Sequence, residues 1–204
     1  MVKVYDARGH RATIAWFEKS EEGWRQVSGE WPVTIGRNGL GKEREGDGRT
    51  PVGLYPLGDL YGYGIVETKM PFFLSDKELV CVDDPDSRYY NRIVDRERVI
   101  EDFGSFERMR RNDDLYELVV TVGYNSAKRP GLGSCIFIHI ANGDKATAGC
   151  IGMPKEALKR LVGWLDPTKR PVILIERWKP AARFARLDGV EASEEKVRIL
   201  RKTD

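Results

Sequence analysis

The sequence predicts a mainly β protein of the α+β class with a few short helices. Residues 115–124 form a long run rich in β-branched side chains, residues 136–140 form a short apolar strand, and residues 171–176 read PVILIE. The clearest helical pattern follows Pro154, where apolar residues recur at spacings of three and four. Strand patterns therefore outnumber helical ones.

The N-terminal part of the chain has the pattern of a β-hairpin. Residues 13–17 and 23–27 are strand-like and flank a polar turn, and residues 31–35 predict a third strand. The sequence divides into three regions: an N-terminal hairpin region (1–34) packed on a central domain, that domain itself (35–177) and a charged C-terminal arm (178–204) with a short amphipathic element at 194–200.

A glycine-rich run follows the third strand, from residue 36 to residue 53. Glycines expose backbone N–H groups that can cradle phosphate, but a Walker loop needs a Lys-Ser/Thr pair that opens a helix. Here Thr50-Pro51 and another short strand follow instead, and proline disfavours helix for the residue before it. We interpret the run as a long surface loop rather than as a nucleotide site.

Short strands and loops alternate in the middle of the chain. Strands are expected over residues 52–57, 70–73 and 78–82, with an irregular connection rich in glycine and tyrosine at residues 58–64.

Two further segments between residues 83 and 112 are charged. Phe103, Phe106 and Met109 recur at a spacing of three, which predicts a short surface helix capped by Ser105. The Asp-Asp-Pro-Asp sequence at residues 83–86 raises the alternative of a metal site. It lacks the pattern of a calcium loop, so we interpret it as a turn in which aspartates cap their own backbone.

The residues with the chemistry of a nucleophile and a base lie between residues 136 and 153. The chain has two histidines and three cysteines, and His139 and Cys150 fall together here. Alternation along the strand places Ile138 on the core face and His139 on the opposite face, toward a cleft. The break at residues 141–145 lets the chain double back and bring the thiol within reach of the imidazole.

The surroundings of Cys150 suggest activation. Pro154 fits the first position of a helix, whose N-terminus would favour a thiolate. Gly149 lets a substrate approach the sulfur and leaves backbone N–H groups free for an oxyanion. Taken singly, Cys150 is typical of a small buried residue and His139 of a core histidine. Together, their spacing favours a nucleophile and base pair.

Composition narrows the possible functions. The 204 residues include 34 basic and 32 acidic side chains, a formal charge of +2 that indicates neither a nucleic-acid nor a membrane partner. No stretch approaches the ~20 apolar residues of a membrane span. Three cysteines without CxxC spacing predict neither a disulfide scaffold nor a zinc ribbon. Because their number is odd, at least one thiol is expected to be free. No signal peptide is visible, so we expect either the cytoplasm, or the periplasm or cell envelope after removal of an export signal.

Several motifs resemble the L,D-transpeptidase catalytic domain (YkuD type). The sequence TAGCIGM at residues 147–153, preceded by His139 on an apolar strand, resembles the catalytic signature. Residues 36–53 resemble a segment of one branch of the family, the branch with a TAGC motif. The likeness covers roughly residues 35–175 and includes further motifs at residues 83–85, 90–92, 122–125 and 133–139.

The resemblance implies a mixed β-sheet sandwich with a cleft, and a cysteine acyltransferase that acts on peptidoglycan stem peptides. The thiol would form a thioester at an L,D peptide bond and transfer it to an amine, without cofactor or metal. By position, it implies Cys150 as nucleophile, His139 as base, Thr147 as the hydroxyl residue of the motif, the N–H groups of Gly149 and Cys150 as oxyanion donors, and the carbonyl of Ile140 as the group that orients the imidazole. The expected substrate contacts are Asn91, Tyr124, Asn125 and Asn142.

The sequence departs from the commoner family pattern at two positions. Commoner members carry His at the position of Ala148 and Arg at that of Gly152. Loss of the arginine removes a partner for a substrate carboxylate. The alternatives to transpeptidation are an L,D-carboxypeptidase that uses water as acceptor, and a non-catalytic domain that binds the cell wall. The sequence does not indicate an oligomeric state.

Overall fold

The computed structural model describes residues 1–177. The predicted C-terminal arm, including the amphipathic element at residues 194–200, lies outside this range. The described part is mainly β. The strands are β1 (Val2–Arg8), β2 (Arg11–Ser20), β3 (Gly23–Gln26), β4 (Trp31–Thr34), β5 (Gly53–Gly62), β6 (Phe72–Leu74), β7 (Leu79–Val82), β8 (Ile93–Asp95), β9 (Phe106–Arg108), β10 (Leu118–Val122), β11 (Phe137–Ile140), β12 (Ile151–Met153) and β13 (Val172–Ile175). Residues 1–177 contain one α-helix, α1 (Lys155–Trp164), and two short 3-10 turns at Arg96–Arg98 and Pro167–Lys169.

The larger sheet closes into a barrel. Its strand order is β1-β13-β5-β10-β11-β12-β4-β2-β3, and β1 also pairs with β2, so the path returns to its start. The sheet is mixed, because the β1–β13, β5–β6 and β11–β12 pairs are parallel and the other pairs are antiparallel. The prediction of a mainly β fold is confirmed. The resemblance predicted a sandwich, whereas this sheet closes on itself through the β1–β2 pair.

A second, three-stranded sheet lies beside the barrel, in the order β8-β7-β9. A disulfide joins Cys81 on β7 to Cys135, two residues before β11. This leaves Cys150 as the free cysteine, which confirms the prediction of at least one free thiol. The disulfide therefore connects the small sheet to the strand that carries His139.

The two faces of β11 pack on different clusters. Ile138 is fully buried in the main core, which also contains the apolar face of α1. Phe137 belongs to a second cluster that includes Tyr116, Cys135 and Cys150. The predicted alternation along this strand is confirmed, and it separates the barrel core from the side on which the thiol and the imidazole lie.

Two predictions for the middle of the chain are wrong. The expected helix around Phe103–Met109 is instead β9, in which Phe106 pairs with Val82 of β7. Phe103 packs edge-on against Tyr89 and Phe106, so the spacing of three reflects ring contacts in a loop and strand. The connection expected at residues 58–64 is mostly strand, because β5 continues to Gly62 and pairs with β10 there.

The N-terminal residues contribute strands to the barrel itself. The predicted hairpin is observed as β2 and β3, and β2 also pairs with β4. The sequence analysis did not predict β1, which pairs with β13 near the other end of the described chain. Residues 1–34 are thus part of the same sheet as the candidate site rather than a region that only packs on it.

Within residues 1–177, no helix has the length and apolar character needed to cross a membrane.

Candidate active site

Cys150 lies at the end of a tight turn and directly precedes β12. Helix α1 begins only at Lys155, with Pro154 as its N-cap. The strand in between spans about 10 Å, whereas the field of a helix terminus falls off within its first turn. The prediction that a helix N-terminus acts on the thiol is therefore wrong.

Two threonine hydroxyls hold the turn in place. Thr147 Oγ1 donates to the carbonyl of Cys150 at 2.6 Å and accepts from the Gly149 N–H at 3.1 Å. Thr50, a fully buried residue, donates from Oγ1 to the carbonyl of Gly149 at 2.7 Å. These bonds fix the backbone on both sides of the sulfur, and they occupy the Gly149 N–H that was expected to serve as an oxyanion donor.

Gly149 is required by the protein's own backbone. A Cβ at this position would lie 2.9 Å from the carbonyl oxygen of Arg49 and 3.3 Å from a methyl carbon of Ile136. Non-bonded carbon and oxygen atoms do not pack this closely in folded proteins. The absence of a side chain thus allows the glycine-rich run to pack against the turn, and Gly149 also lines the cleft beside the thiol.

The thiol of Cys150 is held by two backbone groups. Sγ donates to the carbonyl of Cys135 at 3.3 Å and accepts from the Phe137 N–H at 3.3 Å. The residue is 8% exposed, and this burial, together with the nearby Glu107, raises the pKa of the thiol to about 12. At neutral pH the resting cysteine is therefore a thiol and not a thiolate.

His139 is a buried, neutral imidazole. Its Nδ1 lies 2.8 Å from the carbonyl oxygen of Ile140, which can only accept, so the proton is on Nδ1 and the lone pair on Nε2. Burial lowers the pKa of the imidazole to about 4. At pH 7 the ring is thus unprotonated at Nε2 and able to accept a proton.

The thiol and the imidazole lie on the same side of β11 without touching. In the described chain no hydrogen bond joins Cys150 to His139. The sulfur lies against the N–H of Phe137, two residues from His139, which corresponds to about 7 Å along a strand. Residues 1–177 thus bring the two groups to one face, where the thiol is hydrogen-bonded to the backbone of Cys135 and Phe137 rather than to the imidazole.

Tyr116 lies beside both groups. Its ring centroid is 5.1 Å from that of His139, and it packs in the same buried cluster as Cys150. Its hydroxyl donates to the carboxylate of Glu107, and the guanidinium of Arg111 lies 5.2 Å from the ring centre. Burial raises the pKa of Glu107 and raises that of Tyr116 well above its ordinary value. Residues 107, 111 and 116 were not predicted, because nothing in their spacing connects them to the turn.

A cleft of about 820 Å³ opens on the thiol. It is lined by groups of both charge signs. The cationic ones are Arg37, Lys42, Arg108, Arg110 and Arg111, and the carboxylates are Glu45, Asp83, Glu107 and Asp113. His139 lines a smaller neighbouring depression of about 210 Å³, with Tyr116, Asn142 and Thr147 among its other lining residues.

The expected substrate contacts divide into two groups. Asn91 uses Nδ2 to bind the carbonyls of Tyr124 and Asn125 and Oδ1 to accept from the N–H of Cys135, each at 3.0 Å. The Tyr124 hydroxyl and the Asn125 amide are likewise engaged by residues 129–133. None of these three lines the cleft, and they instead hold the loop that carries Cys135. Asn142 is exposed and lies at the depression beside His139.

The glycine-rich run is a loop with many exposed residues, as predicted, but part of it packs against the turn that carries Cys150. Gly36 forms a β-bridge with Thr147, and the Arg37 N–H donates to the carbonyl of Thr147 at 2.9 Å. The run thus packs along the turn that carries Cys150 (residues 147–150) and supplies one wall of the cleft. Sequence periodicity could not show this, because the contact joins segments about 100 residues apart.

The two departures from the commoner family pattern have different surroundings. Ala148 is exposed and lines the cleft. Gly152 is buried in β12, where a Cβ would lie 2.5 Å from Thr34 Oγ1 and 3.3 Å from the Cα of Ala141. This chain therefore has room for a larger residue at position 148 and none at position 152.

The Asp-Asp-Pro-Asp segment is a turn, as predicted. Asp84 accepts from the N–H of Asp86 at 3.1 Å and from that of Gly104 at 2.6 Å, and Asp83 accepts from the Ser105 hydroxyl. Among residues 1–177, no group of three or more His, Cys, Asp or Glu side chains is arranged to hold a metal ion.

Fold and site together define a class of protein. It is mainly β, and it carries a neutral histidine on β11 and a free cysteine directly before β12, the strand parallel to β11, on the same face of the sheet. The family can be stated as well. The family model for the L,D-transpeptidase catalytic domain (YkuD) matches residues 9–174, and the chain belongs to this family. No curated protein sequence matched the chain.

Replacing His139 with glutamine is expected to slow acylation of Cys150 about 10²–10⁴-fold, the range that general-base catalysis contributes. Because the pKa of His139 is about 4, the wild type should lose activity as the pH falls through about 4 and the imidazole becomes protonated. Single-turnover acylation followed by intact mass between pH 3.5 and 8 measures both effects. His10→Gln, which changes the other histidine, is the matched control. If the loss of activity at low pH persists unchanged in His139→Gln, His139 is not the base that accepts the thiol proton.

Proposed function

We propose that this protein is a cysteine acyltransferase that acts on peptidoglycan stem peptides. The observation that carries the proposal is the free thiol of Cys150, which lines a large cleft of mixed charge on the face it shares with a neutral imidazole. Membership of the L,D-transpeptidase catalytic domain family supports the same chemistry.

In the first half-reaction, Cys150 Sγ attacks the carbonyl carbon of an L,D peptide bond, and the carbonyl oxygen takes up the electron pair. The thiol proton passes to Nε2 of His139. Collapse of the tetrahedral intermediate breaks the C–N bond, and the leaving amine takes the proton from His139, which leaves a thioester on Cys150. Because thiol and imidazole are both neutral at rest, the proton moves during attack and not before it.

In the second half-reaction, an acceptor amine attacks the thioester and gives a proton to His139. The thiolate leaves and is protonated again, so the enzyme returns to its resting state. Water in place of the amine gives the hydrolytic outcome of a carboxypeptidase. The Cys150 N–H is the candidate donor to the oxyanion in both steps, since Thr147 already occupies the Gly149 N–H.

The charge pattern of the cleft suits the proposed substrate. The stem peptide carries a diamino-acid residue, with an ammonium and a carboxylate, followed by a D-alanine with a free carboxylate. Arginines at positions 37, 110 and 111 match the carboxylates, and the carboxylates of Glu45 and Asp83 match the ammonium. The Ile140 carbonyl orients the imidazole in this scheme.

Incubation with tetrapeptide stems tests the function and separates its two forms. A cross-linked dimer, detected by mass, is expected for transpeptidation, whereas a tripeptide product alone would indicate hydrolysis. A carbapenem should form a covalent adduct on the wild type and none on Cys150→Ala. If the wild type forms no adduct and changes no muropeptide mass, the enzyme proposal fails and the non-catalytic wall-binding alternative stands.

We also propose that the protein works in the periplasm or cell envelope. The disulfide between Cys81 and Cys135 supports this, since disulfides persist in oxidising compartments and are rare in the cytosol. Cell fractionation with thiol labelling tests it. Recovery of the native protein from the cytosol with both cysteines reduced would contradict the proposal.

A further inference from the structure

The cleft contains a charged side chain that the proposed mechanism does not use. Lys42 lines the cleft together with Cys150, and its side chain is only 3% exposed. Its Nζ lies 3.0 Å from Oδ1 of Asp47, whose side chain is 8% exposed. Lysine is almost never buried without a partner, so this ion pair is a built feature of the site.

The ammonium of Lys42 faces the turn that carries Cys150. A Cβ on Gly149 would lie 3.5 Å from Nζ, and one on Gly133 would lie 2.3 Å from the Cε of the lysine. The aliphatic part of the Lys42 side chain is thus confined between Gly133 and Gly149, and its ammonium lies next to Gly149, the residue before Cys150. Among the groups that act on Cys150, Lys42 is the cation that lowers the pKa of the thiol, against the larger effect of burial.

Asp47 fixes the position of the lysine. Its carboxylate also accepts from the backbone N–H groups of Glu43 at 2.8 Å, Arg49 at 3.0 Å and Arg44 at 3.2 Å. Although burial opposes it, these bonds and that from Lys42 lower the pKa of Asp47 to about 2. Because four donors share its charge, Asp47 anchors the ammonium without fully cancelling its field.

Other charged groups near the thiol act differently. Glu107 raises the pKa of the Cys150 thiol, whereas the side chain of Tyr116, which packs in the same buried cluster, lowers that pKa. Arg111 lies 3.9 Å from Glu107 and over the Tyr116 ring, so it acts on those two residues. Gly152 has no space for a cationic side chain. Within residues 1–177, Lys42 is thus a buried cation that lines the cleft beside the turn of Cys150.

We propose that Lys42 is a positioning residue of this active site, whose ammonium, anchored by Asp47, stabilises negative charge on Cys150 Sγ during attack. The inference rests on the proposed role of Cys150 as the nucleophile. The alternative is that the pair only stabilises the loop, as many buried ion pairs do. The two differ in whether the reactivity of the thiol depends on the lysine's charge.

Alkylation by iodoacetamide tests this without peptidoglycan, so its outcome is independent of substrate identity. The rate of Cys150 modification is measured between pH 6 and 11 by intact mass. Lys42→Met is expected to slow alkylation about 10-fold at a given pH below the thiol pKa, with the profile displaced to higher pH. Lys42→Arg keeps the charge but must place a larger head in the same confined space, so its melting temperature is measured as well; when folded, it should alkylate faster than Lys42→Met.

A double variant separates the ammonium's effect from that of an unpaired aspartate. Lys42→Met with Asp47→Asn leaves no uncompensated charge, and it carries the test if the single variant does not fold. Slow alkylation in the double variant supports the proposal. A wild-type pH profile of alkylation in the double variant would overturn the proposal. The same profile in Lys42→Met, with only the melting temperature lowered, would also overturn it. Failure of the stem-peptide assay alone would leave this result unaffected.

Discussion

Serine in place of Cys150 is expected to lower acyl transfer about 10⁴-fold or more. A serine hydroxyl is far less acidic than a thiol, and the nearby imidazole at pKa about 4 is too weak a base to compensate. The fold should survive, because the hydroxyl can donate to the Cys135 carbonyl and accept from the Phe137 N–H as the thiol does. Product formation from stem peptides, followed by mass under single-turnover conditions, measures the loss.

Folding of Cys150→Ser is checked by circular dichroism and melting temperature. Alkylation provides a second readout, since the variant has no free cysteine and should take up no iodoacetamide without reductant. Retention of more than a tenth of the wild-type rate, in a folded variant, would show that another group carries the chemistry.

Gly152→Arg restores the residue that commoner family members carry, and it is expected to destabilise this protein by about 3–5 kcal/mol. The Cβ would lie 2.5 Å from Thr34 Oγ1, in a buried strand where the stiff β-branched threonine has little freedom to move. The arginine would also bury a charge for which this strand offers no space. Urea denaturation followed by fluorescence measures the change in the free energy of unfolding.

Two further variants identify the cause. Ala148→His, the other change toward the commoner pattern, places its side chain in the open cleft and should alter stability by no more than about 0.5 kcal/mol. Gly152→Ala should cost about 1–3 kcal/mol, and Thr34→Ala should relieve most of that cost in the double variant, because the Thr34 hydroxyl has no hydrogen-bond partner among residues 1–177. Full stability of Gly152→Arg would contradict the steric account.

These positions show how the chain differs from the commoner family pattern. Position 152 is closed by β4 packing against β12, and the cations of the cleft come from other segments, including the glycine-rich run and residues 108–111. Cationic groups around the thiol are thus supplied by loops far from it in sequence. Substrate preference is expected to follow those loops.

The sequence by itself determined the features that depend on local order. Alternation along residues 136–140 assigned Ile138 to the core and His139 to the opposite face, because side chains in a strand alternate by necessity. The predicted hairpin is observed at β2 and β3, and the helix after Pro154 at α1. The Thr-Ala-Gly-Cys motif and its histidine identified the family, which the match over residues 9–174 confirms.

Only the tertiary structure decided what depends on contacts between distant segments. It closed the sheet through β1 and β2, and it paired Cys81 with Cys135. It also packed the glycine-rich run against the turn that carries Cys150, which placed Lys42 in the same cleft as the thiol and leaves no space for a side chain at Gly149. The charge state of the thiol followed from burial, which no local pattern reports. The helix start at Pro154 suggested an activated thiolate, whereas burial raises the pKa of Cys150 and keeps it a neutral thiol at rest.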